Sequence, residues 1–356
     1  MEKVKIGLVG CGVIADNAYL PGIVKMQKAD LVAVCDLIEE RAKAAGEKFN
    51  VPQVYTDLDE MLEKSGLELL VNTTHIQAHY EVNLKALQAG KHVYSEKSMT
   101  NTVEEATTLI EEAKKRNLKL GAAAATMLSS VNQKIRELIQ EGAIGKVAFA
   151  KARTSHEGAA YFPYWATDPT WFYKPGGGPV LDLGVYALHT LTGILGPAKR
   201  VTCLSGISDP VRYVRGGPYK GKRIDVEVDD NTLIMLDFGN ATFAFVDATF
   251  CVRVAKGPSM EIYGSEGTIS IGEYGAERPF ELYREDLKLG IRGWTALELP
   301  DRDNWFTGAV AHMIDCILED KEPVVSGEHA RHVIEIMTKA IEAARQGQAL
   351  ELETTF

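Results

Sequence analysis

No apolar stretch of this 356-residue chain approaches the roughly 20 residues that a bilayer-spanning helix needs, which argues against a transmembrane role. Cysteine is scarce. Cys11, Cys35, Cys203, Cys251 and Cys316 are odd in number, scattered and never in a Cys-x-x-Cys pair, so they read as small core residues of a reducing compartment rather than a disulfide framework. Positive charge is also in deficit: the formal net charge of −10 speaks against a nucleic-acid or anionic-membrane partner. Internal repeats, low-complexity tracts and long flexible linkers are missing. The opening Met1-Glu-Lys-Val-Lys-Ile6 lacks the apolar block and small-residue cleavage site of a signal peptide, so the cytoplasm is the expected location. His329-x-x-His332 is the most closely spaced histidine pair. Without a Cys or carboxylate ligand set beside it, it reads as the start of the last helix, and no metal is expected.

What is present fits a soluble two-domain enzyme. The chain is longer than one core usually serves, and 46% hydrophobic content with 25% charge can fill two. Its most informative stretch is Lys5–Ala15, where an apolar run leads directly into Gly10-x-Gly12-x-x-Ala15. Asp36 follows about twenty residues later, at the end of a second apolar run, Leu31–Cys35. Strand before, helix after and acid at that distance predict a dinucleotide-binding βαβ unit. Gly10 allows the tight turn, Gly12 lets backbone approach a pyrophosphate at the helix N-terminus, and Ala15 lets the helix pack on the sheet. A carboxylate at Asp36 accepts from the adenosine ribose and repels a 2′-phosphate, so NAD is expected over NADP. A carboxylate capping the helix that begins near Glu39 explains the same residue, and Arg41 leaves room for a phosphate.

Strands and helices alternate through the first third, with strands ending before Gly10, Asp36, Thr73 and Glu96-Lys97. Thr73–His79 reads as a loop entering a helix that ends at Gly90, and Thr102-x-x-Glu105 as a capping box. This pattern predicts an α/β Rossmann domain over 1–124, with ligands at the carboxyl ends of its parallel strands. Beyond it, Val147–Thr154, Arg200–Ser205, Asn231–Phe238 and Ala241–Thr249 are strand-like, and Met260–Tyr263 with Thr268–Ile271 reads as a hairpin. Only three helices interrupt them, near Val180–Leu195, Trp305–Leu318 and His329–Arg345. An α+β domain with an open, mostly antiparallel sheet is expected over 125–356, serving substrate binding and oligomerisation.

The order and spacing of certain residues carry a resemblance. Gly10-x-Gly12-x-x-Ala15, His79, Gly90-Lys-His-Val93, Glu96-Lys97, Gly142-x-Ile-Gly145, Gly176-Gly-Gly178 with Asp182-x-Gly184, and Gly264-Ser-Glu-Gly267 together resemble the glucose–fructose oxidoreductase, inositol dehydrogenase and rhizopine-catabolism family. The resemblance runs from about residue 4 to 345 and implies a Rossmann domain joined to an open sheet, acting on sugars or cyclitols. Three departures stand out. The family's Glu-Lys-Pro is Glu96-Lys97-Ser98, its Thr-Pro is Thr74-His75, and a histidine common four residues after its aspartate is Tyr186. Glucose–fructose oxidoreductase and dihydrodiol dehydrogenase share that tyrosine, so it reads as a subgroup mark.

Hydride transfer from a secondary alcohol to a nicotinamide needs a group that takes the hydroxyl proton and others that orient the carbinol. Lys97 directly follows a parallel strand and projects toward the ligand crevice; a solvated charge is the alternative, which its Glu96-Lys97 context disfavours. Asp182, Tyr186 and His189, four and three residues apart, would share an α-helical face within an arc of about 60°. His189 reads equally well as catalytic or as a hydrogen-bonded structural residue. Between Glu157 and Gly178 crowd Tyr161, Phe162, Tyr164, Trp165, Trp171, Phe172 and Tyr173, which suit stacking on a sugar ring, core packing or a subunit interface.

The expected sites are therefore catalytic Lys97, Asp182, Tyr186 and His189; a cofactor-binding set of Gly10, Gly12, Val13, Ile14, Asp36, Thr73, Thr74, His75, His79, Glu96 and Lys97; and substrate contacts from His156, Tyr164, Trp165 and Trp171. The expected activity is NAD-dependent interconversion of a ring alcohol and a ketone on a sugar, glycoside or cyclitol, in a homo-oligomer. A redox-neutral glycoside-cleaving enzyme that retains NAD, and a dinucleotide-sensing regulator that catalyses nothing, are the two alternatives.

Overall fold

The computed structural model describes residues 2–163, 167–272, 280–286, 290–298 and 305–356. These form two compact units, one of residues 1–129, 303–334 and 356, the other of 130–302 and 335–355. The expected single boundary at 124/125 is thus replaced by a chain that returns to its first unit near its end.

In the first unit, β1 (Val4–Val9), β2 (Ala29–Cys35), β3 (Gln53–Tyr55), β4 (Leu69–Asn72), β5 (His92–Ser95) and β6 (Leu120–Ala122) make a parallel sheet in the order β3-β2-β1-β4-β5-β6. Strands buried on both faces read as continuous apolar runs, which is why they stand out in sequence. A π-helical turn, Ala15–Tyr19, runs into a short helix, α1 (Leu20–Ile23). The crossovers then use α2 (Glu39–Phe49), α3 (Leu58–Lys64), α4 (Ile76–Gln88) and α5 (Val103–Lys115). Thr102 Oγ1 accepts from Glu105 N at 3.2 Å as the N-cap of α5, while Glu105 reaches back to Asn101 N at 3.0 Å.

Farther along lie α6 (Ser130–Gln140), α7 (Val185–Leu195), α8 (Trp305–Glu319) and α9 (Gly327–Gln346). The return of α8 has a packing cause. Its Ala309, Val310, Met313 and Ile314 are buried in the same cluster as Val4, Ile6, Leu8 and Ile23, and a Cβ on Gly121 of β6 would fall on Met313 Sδ. Without α8 that apolar surface would face water.

The second unit is built on a sheet ordered β16-β15-β14-β13-β7-β12-β11-β8-β17, from β7 (Val147–Arg153), β8 (Arg200–Gly206), β11 (Asn231–Asp237), β12 (Phe243–Thr249), β13 (Met260–Gly264), β14 (Gly267–Ile271), β15 (Phe280–Asp286), β16 (Ile291–Ala296) and β17 (Leu350–Glu351). β7 and β12 pair in parallel and the other neighbours antiparallel. A separate hairpin pairs β9 (Val211–Tyr213) with β10 (Arg223–Asp225). The sequence reading anticipates neither this hairpin nor β15 and β16.

Candidate functional site

The residues at the carboxyl ends of β1, β2, β4 and β5 are tied together by short hydrogen bonds. Gly10 leaves β1 with φ +92°, and its N–H donates to Cys35 O at 2.8 Å. A Cβ there would stand 2.7 Å from Thr74 N and 2.8 Å from Thr73 O, so only glycine admits the turn after β4 this close. Thr73 Oγ1 in turn donates to Val9 O at 3.0 Å and Gly10 O at 2.9 Å. A Cβ at Gly12, by contrast, would meet no atom of the described residues within 4 Å. Nothing in the protein's own packing requires glycine there, which fits an approach reserved for a ligand's phosphates. Ala15 is fully buried against the sheet, while Val13, Ile14, Leu37 and Ile38 are exposed apolar side chains.

Asp36 is buried, with Oδ2 accepting from Cys11 N and Oδ1 from Ile38 N, both at 2.8 Å. Asp36 thus organises the Gly10–Gly12 turn and the segment before α2, but it does not cap that helix, whose N-cap residue Ile38 has no side-chain cap; each carboxylate oxygen keeps a second lone pair. Burial pushes the neighbouring Cys11 and Cys35 thiols up to about 12, which makes them inert packing groups. Cys251, unlike the other cysteines, is exposed.

α4 begins earlier than expected, at Ile76 with exposed His75 at its N-cap position, so His79 lies within the helix and not before it. Neither proline nor glycine interrupts Ile76–Gln88, so nothing in the backbone stops the helix from starting directly after His75. His79 Nδ1 is 2.7 Å from Ser98 O and Nε2 is 2.9 Å from Thr74 O. Glu96 is buried, its Oε1 accepting from Tyr19 OH at 2.6 Å and its Oε2 from Lys97 N at 2.8 Å. Burial and the Glu96 carboxylate push the Tyr19 phenol well up, so it remains a donor.

Lys97 is half-buried, and the Lys97–Ser98 and Ala123–Ala124 peptides are both cis. The sequence reading misses the polar chain behind these residues. Asn72 Nδ2 donates to Asn83 Oδ1 at 2.8 Å, and Asn83 Nδ2 donates to Ser95 Oγ at 2.9 Å. Asn72 Oδ1 accepts from Thr74 Oγ1 at 2.7 Å. Buried amides inside otherwise apolar elements were the available signal.

In the second unit, Asp182 sits on a π-helical turn, Val180–Gly184, that runs into α7 carrying Tyr186 and His189. The expected common face assumed regular α winding from Val180 onward. Underwinding changes the angle between Asp182 and Tyr186, whereas Tyr186 and His189 keep α-helical spacing. A Cβ on Gly184 would lie 3.2 Å from Ala248 Cβ of β12, so the turn is pressed against the sheet. Asp182 and Tyr186 are half-buried and His189 is buried.

His156 follows β7. Its Nδ1 accepts from Gly158 N at 2.9 Å, so the ring proton is assigned to Nε2, and the ring stacks on Phe250 at 5.4 Å and meets Phe162 edge-on at 4.8 Å. Trp171 is exposed and stacks on Phe172, whereas Phe172 and Tyr173 are buried with Leu183, Val214 and Phe250. The crowded aromatics thus divide between core and surface; Tyr164 and Trp165 lie outside the described residues. Arg212, 1% exposed beside the fully buried Asp230, also goes unanticipated. Its Nη2 donates to Asp230 Oδ2 at 2.7 Å and to Phe250 O at 3.1 Å, and its Nη1 to Glu157 O at 2.9 Å. That one guanidinium holds the backbone of Glu157, next to His156 in the chain, and of Phe250, on which the His156 ring stacks.

A Gly-x-Gly turn, an acid at the tip of the second strand and a second unit with an open sheet define a dinucleotide-binding oxidoreductase. The comparisons make the class specific. Residues 4–123 match the oxidoreductase family with an NAD-binding Rossmann fold, and residues 132–270 match the GFO/IDH/MocA C-terminal domain, so this chain belongs to the GFO/IDH/MocA family. It is 25% identical over 354 residues to 1,5-anhydro-D-fructose reductase of Ensifer adhaerens, covering 98% of each chain. It is 22% identical over 356 residues to scyllo-inositol 2-dehydrogenase (NAD(+)) of Bacillus subtilis, covering 99% of this chain and 97% of that one. The fold also matches levoglucosan dehydrogenase in complex with NADH and L-sorbose, with a TM-score of 0.86, 18% identity, and coverage of 99% of this chain and 100% of that one.

Proposed function

We propose that this protein uses NAD to interconvert a ring secondary alcohol and a ketone on a sugar, glycoside or cyclitol by hydride transfer. The observation that carries the reading is the arrangement at Gly12 and Asp36. A glycine no packing contact requires stands beside a carboxylate whose remaining lone pairs suit ribose hydroxyls and whose charge disfavours a 2′-phosphate. NAD supplies the hydride acceptor when bound. Gly10, Gly12, Val13, Ile14, Asp36, Thr73, Thr74 and His75 hold it, and Glu96 and His79 act behind them. Lys97 binds and polarises the reacting hydroxyl, Tyr186 relays its proton, Asp182 orients the carbinol, and His189 supports that helix face. His156 donates to the sugar through Nε2–H, with Tyr164, Trp165 and Trp171 offering ring faces.

The expected substrate class agrees with relatives that are named sugar or cyclitol dehydrogenases and reductases. Mixing the protein with NAD and a panel of sugars, glycosides and cyclitols should raise NADH absorbance with at least one of them. A panel giving no NADH and no ketone contradicts the reading.

We further propose a cytoplasmic homo-oligomer with no nucleic-acid partner. Among the described residues no helix is long and apolar enough to cross a membrane. Leu204 pairs with Leu233, and Phe149 with Phe243, on one sheet face where Met235 is also exposed, an apolar stripe that a second copy would cover. Sedimentation should show an assembly that Met235→Glu weakens; a monomeric wild type contradicts this.

A further inference from the structure

We infer that His79 carries both ring protons in the folded protein and, as a cation, fastens the turn after β4 to the Lys97–Ser98 peptide, making it a positioning residue for Lys97 and not a ligand of the cofactor. The observation is a mismatch between what the ring faces and what a neutral ring offers. His79 is 1% exposed, and its two nitrogens lie 2.7 Å and 2.9 Å from the carbonyl oxygens of Ser98 and Thr74. A carbonyl oxygen only accepts, so each contact needs an N–H, and a neutral imidazole has one. With the neutral ring, one nitrogen lone pair would point at an oxygen lone pair inside a buried site, and that oxygen would lose its bond. The doubly protonated ring satisfies both.

Burial is the largest influence and, with His75 on the same helix, pulls the ring below the ordinary histidine pKa; the two carbonyl oxygens and the Glu96 carboxylate oppose it. The geometry of two acceptor-only oxygens, one at each ring nitrogen, is what argues for the doubly protonated ring. The groups around Glu96 strengthen the opposing side. Its two oxygens accept from the Tyr19 phenol and the Lys97 amide, both neutral donors, so an imidazolium beside it offsets a buried negative charge.

The mechanical consequence concerns Lys97. On one side its amide is held by Glu96, and on the other the Ser98 carbonyl is held by His79, so the backbone carrying the ammonium is anchored at both flanks. The second His79 contact joins this anchor to Thr74, whose own N–H and hydroxyl are bound to Asn72 Oδ1 at 3.1 Å and 2.7 Å. Both ring nitrogens are thereby used within the protein.

The direct test is a long-range proton–nitrogen correlation spectrum of the full-length protein labelled with 15N-histidine, at about one pH unit above the ordinary histidine pKa of about 6.5. The His79 ring should show two N–H nitrogens with slowly exchanging protons, assigned by contacts to Ser98. One N–H and one bare nitrogen would overturn the inference, whatever reaction the protein catalyses. The second arm rests on the dehydrogenase reading. His79→Gln, whose amide donates from a single nitrogen and presents an acceptor oxygen on its other side, should lower kcat about tenfold or more while the KM for NAD stays within about threefold. Intact kcat with strongly weakened NAD binding would return His79 to the cofactor and overturn the positioning role. If the variant does not fold, the wild-type spectrum still decides.

Discussion

The two units use opposite ways of fixing polar side chains. At the carboxyl end of the parallel sheet, most groups are held by atoms a few residues away in sequence or at the end of the next strand, Asp36 by Cys11 N and Ile38 N, Glu96 by Lys97 N, Thr74 by Asn72, with the Tyr19 hydroxyl on Glu96 as the long-range exception. In the second unit the supports come from far along the chain. His156 rests on Phe250, and the buried Arg212–Asp230 pair ties Glu157 and Phe250 from a hairpin and from the turn before β11. Short-range fixing favours a motif that recurs with the same cofactor. Long-range fixing lets a substrate region change through substitutions elsewhere.

The comparison breaks most sharply at Lys97, where a single functional group is held by two local anchors. Lys97→Met should lower turnover by about two orders of magnitude or more while calorimetry still shows NAD binding, since acid–base and charge stabilisation are lost but the cradle is not. A variant retaining most of its kcat would remove Lys97 from the chemistry. A somewhat smaller loss, about tenfold to a hundredfold in kcat, is expected for Tyr186→Phe, which keeps the ring and removes only the phenol. Its thermal unfolding should match wild type; a strongly lowered Tm would show that the hydroxyl holds structure instead.

Cofactor choice sharpens the contrast, because Asp36 both shapes the turn and meets the ribose. Repulsion between two anions near 4 Å is worth about 1 kcal/mol in water and several times that when partly desolvated, so NAD should bind at least about tenfold more tightly than NADP. Asp36→Ser should narrow that gap mainly by improving NADP binding, as measured by titrating both nucleotides. A wild type that prefers NADP would reverse the role of Asp36.

An effect on stability and not on turnover is expected in the second unit, at the carboxylate of Glu335. It accepts from Glu353 N, Thr354 N and Thr354 Oγ1 and pairs with Lys339 at 2.8 Å, and these partners outweigh burial to hold its pKa down at about 2. A depressed carboxylate contributes stability that is fully present above its unfolded pKa and is lost as pH falls through the folded value. Glu335→Gln should therefore destabilise by roughly 2–3 kcal/mol at neutral pH. Denaturant midpoints of the two proteins should converge as pH drops from about 4.5 toward about 2. A difference that is flat with pH would mean the carboxylate charge is not what matters.

The same contrast explains which parts were legible in sequence. The strands that end before Thr73 and Glu96 and the Thr102 cap of α5 fall where expected, because apolar runs and local caps set them. Asp36 was legible because its partner Gly10–Gly12 turn lies one βαβ unit away. His79 was placed outside its helix because no cap signal marks His75. Asn72, Asn83 and Ser95 carry no motif, and their network exists only after β4, α4 and β5 assemble. Arg212 and Asp230 look like surface charges until the hairpin and sheet close around them. The π turn at Asp182 reflects close packing at Gly184 against Ala248, a tertiary contact that spacing alone does not encode.

Direct hydride transfer is the central claim, and isotope tracing tests it most simply. A substrate identified from the sugar and cyclitol panel, deuterated at its carbinol carbon, is incubated with wild-type protein and NAD, and the reduced nicotinamide is examined by mass spectrometry and proton NMR. The account predicts one deuterium on the nicotinamide ring of the reduced cofactor, none gained from solvent, and a ketone at the labelled carbon. Reduced cofactor carrying solvent hydrogen, or ketone formed with no labelled nicotinamide at any time point, would contradict it.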